Sequence, residues 1–132
     1  MRRLALSVAL LAALPAHAEK WDLLFERGGL RVFVDRSSMK ITGAMRRAWF
    51  RVEHPGEVPG GNGWPPHRSA LELRRYDCDR KLAGVEERKV FDGPNLTGQH
   101  LRGMAYKSIE FEKTVPGTVG EAVLRAACSA AI

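Results

Sequence analysis

The chain carries two cysteines, Cys78 and Cys128, and what they can do depends on the compartment they reach. Arg2 and Arg3 precede residues 4–14, a run made almost wholly of Leu, Ala and Val, and Ala16-His17-Ala18 then places small residues at the two positions a signal peptidase reads. This layout is that of a secretory signal peptide over residues 1–18, cleaved after Ala18. The apolar run of about eleven residues is too short for a membrane anchor, which needs roughly twenty. No cysteine stands at the junction to carry a lipid. Residues 19–132 are therefore expected to form one exported domain, periplasmic, secreted or at the cell surface, with no lipid anchor and no transmembrane segment. In an oxidising compartment an even cysteine count reads as a disulfide. Cys78–Cys128 would close a loop of about fifty residues, which stabilises by roughly 4 kcal/mol on the chain-entropy model.

The pattern from Trp21 to Glu112 is that of strands. Trp21, Leu23 and Phe25 alternate with other residues, Arg27-Gly28-Gly29 turns the chain, and Leu30, Val32 and Val34 alternate again, which is a hairpin with its turn chemistry in place. Residues 45–52 put Ala48, Phe50 and Val52 on one face and Arg47, Trp49 and Arg51 on the other, because side chains change sides at every residue. Residues 54–67 contain four prolines and four glycines, and a long loop without strand or helix is expected there. Within it, Trp64 is either a lid folded back on the sheet or a contact residue. Strands resume over 69–78 and 81–91, and one or two more run to Glu112. Leu71 and Leu73 share a parity that Tyr76 and Cys78 do not. If all four point inward, a β-bulge at Arg74-Arg75 must restore the register.

The C-terminus changes character. Thr118 followed by Glu121 is a capping box after Pro116-Gly117, and residues 119–130 read as an apolar helix that must be buried on most sides. With Cys78 near a strand end and Cys128 near the helix end, the bond would pin helix to sheet. The expected fold is α+β: a mainly antiparallel sheet of about six strands with one C-terminal helix docked on a sheet face and tethered by the disulfide.

Together these landmarks resemble the surface-adhesin protein E family of Gram-negative bacteria. The residues that carry the likeness are Trp21, the Gly28-Gly29 turn, Val32-Phe33-Val34-Asp35 with Ser37-Ser38, Trp49, Ser69, Tyr76-Asp77-Cys78, Val115-Pro116-Gly117-Thr118 and Cys128. The resemblance implies a curved antiparallel sheet with a tethered helix, a homodimer, and an envelope-surface protein of a kind that adheres to host matrix and serum proteins. The chain departs from the family's named member in having no lipid-attachment cysteine.

No catalytic constellation, metal-ligand spacing or cofactor motif stands out. His54, His67 and His100 fall in or beside loops without HxxxH or HExxH spacing, and Asp35 with Ser37 and Ser38 reads as a turn. Net charge is +6, or +4 once Arg2 and Arg3 are removed. That balance suits extracellular matrix or other polyanionic ligands, while nucleic acid is a poor partner for an exported chain. The basic residues look scattered. The surface candidate is Arg47, Trp49 and Arg51, two cations flanking an indole, with Trp64 as a second contact. Trp49 can equally be a second hydrophobic layer covered by arginine stems. The functional expectation is a non-catalytic adhesin-like binding module; the alternative is a periplasmic assembly factor acting as a homodimer. N-terminal sequencing of the exported protein is expected to begin Glu19-Lys20-Trp21, and an intact residue 1–18 segment would refute the processing.

Overall fold

The computed structural model describes residues 21–129; the expected signal peptide lies outside the described residues. Eight strands and one α-helix follow in the order β1 (Trp21–Arg27), β2 (Leu30–Asp35), β3 (Lys40–Thr42), β4 (Met45–Val58), β5 (His67–Asp77), β6 (Leu82–Phe91), β7 (His100–Ala105), β8 (Glu112–Lys113) and α1 (Val119–Ser129), with short 3-10 turns at Arg36–Ser38 and Pro94–Leu96. The sheet is antiparallel throughout, ordered β1-β2-β4-β5-β6-β7, with β3 beside β4 and β8 beside β6. Gly28 and Gly29 turn the first hairpin at φ 59° and 84°, a conformation that glycine adopts without steric cost. Asp35 closes the next corner, its carboxylate accepting from the Ser37 amide and hydroxyl while Ser38 Oγ donates to the Asp35 carbonyl.

One face of the sheet holds the core. Val32, Val34, Ala48, Phe50 and Tyr76 are buried against Val123, Leu124 and Ala127 of α1. These sheet residues have one parity, and the register pairs Val34 with Phe50 and Val32 with Val52, so the face is continuous across strands. Phe50 and Tyr76 meet edge to face at 5.5 Å. Thr118 caps the helix by accepting from the Glu121 amide, and the Glu121 carboxylate reaches back to the Gly117 amide. The Cys78–Cys128 disulfide joins the residue just after β5 to the last turn of α1, tying the helix to the sheet as expected.

Two expectations are corrected. First, β4 continues through Pro55 and Gly56 to Val58. Its pairing with β2 ends at Glu53, and its register with β5 shifts between Glu53 and Val58. Pro55 therefore sits in a bulged stretch that asks no ladder hydrogen bond of it. Second, there is no bulge at Arg74-Arg75: β5 pairs regularly with β4 from Ser69 to Asp77. The extra residue is Glu86 of β6, because Leu73 faces Glu87 while Arg74 faces Val85. The inference failed because Leu71 and Leu73 do not point toward α1. They belong to a second apolar layer on the opposite face, beside Arg51 and Trp49.

Replacing both cysteines by serine is expected to lower unfolding free energy by about 4 kcal/mol in urea titration while strand circular dichroism persists. A change below about 1 kcal/mol would show that packing alone holds α1.

Candidate functional site

The face away from α1 is built from aromatic and cationic residues. Arg51 is almost enclosed: its guanidinium lies 4.2 Å from the Phe33 ring centroid and 5.3 Å from that of Trp21, and its Nε is 3.3 Å from Glu53. Glu53 in turn accepts from the Asn95 amide. Beside this stack, Trp49 is half-buried opposite Leu73, which is 6% exposed. Arg47 is more open and binds Glu86 through two hydrogen bonds of 2.7 and 3.1 Å.

A row of like charges runs across this face. Lys40 of β3 lies opposite Arg47 of β4, which lies opposite Arg75 of β5. Directly opposed like charges destabilise a sheet. The β6 bulge answers them, since Glu86 reaches both Arg47 and Arg75, the latter at 3.2 Å. Hydrogen bonding from Arg47 is the main cause that holds the Glu86 carboxyl below its ordinary pKa, with Arg75 adding to it, and Glu86 raises the pKa of Arg47 in return. Arg47 and Arg75 share the one carboxylate of Glu86, and Lys40, the third cation of the row, forms no ion pair among the described residues.

The α1 face contains a second charged group. Glu72, Arg74, Tyr76 and Arg88 line a cleft of about 680 Å³ between β6, the 106–115 segment and the start of α1. Arg74 donates to Tyr76 Oη at 2.9 Å and to Glu72 at 3.1 Å, and Arg88 donates to Glu72 at 3.3 Å. Burial alone would raise the Glu72 pKa, but the charges of Arg74 and Arg88 outweigh it and hold the carboxyl below its ordinary value. Burial raises the pKa of Tyr76 against the opposing effect of Arg74.

At the far end of that face, Trp64 packs on Val52, Ala70 and Val90, with Arg88 and Arg102 over its ring at 5.2 and 4.9 Å. The His54 and His67 rings meet at 5.6 Å, and burial, followed by the charge of His67, lowers the His54 pKa. Among the described residues, no group of three or more His, Cys, Asp or Glu is placed to hold a metal ion, and no helix is long and apolar enough to cross a membrane.

The family model for surface-adhesin protein E matches residues 21–129, the whole of the sheet and α1. The chain belongs to the surface-adhesin protein E family. Solved structures agree on the family fold. Crystal form II of Haemophilus influenzae protein E superposes with a TM-score of 0.55 at 13% identity, covering 80% of this chain and 91% of that one. A second Haemophilus influenzae protein E structure gives 0.52 at 13% identity, with 80% and 88% covered. No curated protein sequence matches significantly.

Within the adhesin E sheet, Arg47, Trp49 and Arg51 share one face, and Trp64 lies on the other. Arg51 is committed to Trp21, Phe33 and Glu53, which leaves Arg47 as the open cation of the trio. Lys40, Arg75 and Glu86 were missed, because doublets such as Arg74-Arg75 split between faces and the row forms only through cross-strand register. The pattern Lys-Ile-Thr-Gly-Ala-Met-Arg-Arg over 40–47 carried a hairpin signal that would have paired Lys40 with Arg47.

Because its pKa is depressed in the fold, Glu72 contributes stability that is present above its unfolded value of 4.5 and is lost as pH falls through the folded value. Unfolding free energy should therefore fall below pH 4.5. Glu72→Gln should cost about 3 kcal/mol at neutral pH, by leaving two guanidiniums uncompensated, and should flatten that acid limb. An unchanged acid limb in urea titrations at stepped pH would contradict this.

Proposed function

We propose that the chain is a non-catalytic, exported adhesin that attaches to polyanionic ligands of the extracellular matrix through the Lys40–Arg47–Arg75 row. The observation that carries this reading is the row itself: opposed cations in excess of their single carboxylate cost folding energy, and a polyanion recovers it. Arg47 and Arg75 keep 35% and 38% of their side chains exposed, so both can exchange or share Glu86 with a sulfate or carboxylate. Arginine forks suit such oxyanions. Trp49 and Leu73 form the next cross-strand pair on the same face, an apolar border to the row. Membership in a surface-adhesin family supports attachment as the role.

Immobilised heparin provides the polyanion for a direct test. Arg75→Gln is expected to weaken binding by about 1 kcal/mol, roughly fivefold, and Glu86→Gln to strengthen it by removing the competing carboxylate. Both effects should fade as salt is raised. Equal binding by Arg75→Gln and the wild type at low salt would remove this row as the contact surface.

A further inference from the structure

The cleft on the α1 face has an unequal charge pairing that its own residues do not resolve. Arg74 and Arg88 share the one carboxylate of Glu72. Glu72 is 4% exposed, whereas Arg74 and Arg88 keep 18% and 32% of their side chains accessible, so the floor presents cations over a sealed anion. The buried Nε of Arg74 has no hydrogen-bond partner. An uncompensated charge in such a place is costly. The rings of Phe50 and Trp64, 5.3 and 5.2 Å from the two guanidinium carbons, offset part of that cost but offer no oxyanion. The rim differs: it carries Glu110, Glu112 and Lys113, a net negative charge that repels polyanions. At its mouth Tyr106 and Val115 are 36% and 61% exposed, an apolar surface in contact with water.

We propose that this cleft binds a monocarboxylate with an apolar body, its carboxylate seated on Arg74 and Arg88 and its body against Tyr106 and Val115. A single oxyanion completes the floor, and the acidic rim selects against ligands with more. The volume, about 680 Å³, lies in the range of small-molecule sites. A peptide C-terminus and a small organic acid share this chemistry. The site is separate from the Lys40–Arg47–Arg75 row, which lies on the other sheet face, and it does not depend on the adhesive reading.

The test is an amide-resonance titration of the disulfide-bonded mature protein with N-acetyl-alanyl-phenylalanine, its C-terminal amide, and benzoate. The acid is expected to shift resonances of Gly84, Tyr106 and Thr118, and the amide to leave them in place. Saturation by the peptide alone assigns the source as a peptide end; equal affinity for benzoate assigns it as a small acid. Arg88→Gln leaves Glu72 bonded to Arg74 and should weaken binding about tenfold, the loss of one charge-assisted hydrogen-bonding group. Should that variant fail to fold, the double variant Glu110→Gln/Glu112→Gln, at exposed rim positions, should bind the acid a few fold more tightly. Equal shifts from acid and amide, no shift from any probe at millimolar concentration, or unchanged affinity in a folded Arg88→Gln would overturn the proposal.

Discussion

One short helix has to close a wide sheet, and it cannot close all of it. Six strands spaced about 4.8 Å apart span roughly 24 Å, whereas an eleven-residue helix is about 16 Å long. Tethered by Cys78–Cys128, α1 covers Val32, Val34, Phe50 and Tyr76 and packs against β1 and β5. Trp64 covers the other end of the same face through Val52, Ala70 and Val90. Between the two covers, Glu72, Arg74 and Arg88 occupy a position that apolar residues would fill under a longer helix. Their mutual pairing makes charges tolerable at this position inside a fold, and a cleft is left above them.

The uncovered face follows from the same shortage. Apart from the short Pro94–Leu96 turn, which bonds Glu53 and Ser69, no helix among the described residues lies on it, and its apolar residues sit among arginines: Arg51 lies between Phe33, Trp21 and Glu53, and Arg47 and Arg75 form the pair next to Trp49 and Leu73. Guanidinium groups suit this duty because their flat faces stack on rings while their edges remain polar. The extra residue in β6 matters because it turns Glu86 toward Arg47 and Arg75, where a regular strand would carry only Glu87. A structural irregularity of one residue thus sets the charge balance of the whole face.

Much of this was legible in the sequence where local chemistry decides the outcome. The Gly28-Gly29 hairpin, the Asp35 corner, the alternation of Ala48, Phe50 and Val52 against Arg47, Trp49 and Arg51, the Thr118 cap and the disulfide all follow from residue type and spacing. Failures occurred where partners are distant in sequence. Parity alone could not tell Leu71 and Leu73 from core residues, since both faces of β5 bury apolar side chains. The charge row could not be seen, because it consists of one residue from each of three strands. Pro55 and Gly56 misled for a related reason: they break a strand only where a ladder needs them, and at that point β2 has already ended.

The central claim is that polyanions meet the uncovered face at the row of opposed cations rather than anywhere else on a basic protein. Residue-resolved chemical modification of lysine and arginine, with and without a heparin-derived oligosaccharide, tests it most directly. The account predicts that Lys40, Arg47 and Arg75 become protected while Lys113, at the acidic cleft rim, and the exposed Lys107 react as before. Protection of Lys107 and Lys113 with Lys40, Arg47 and Arg75 left reactive would contradict it.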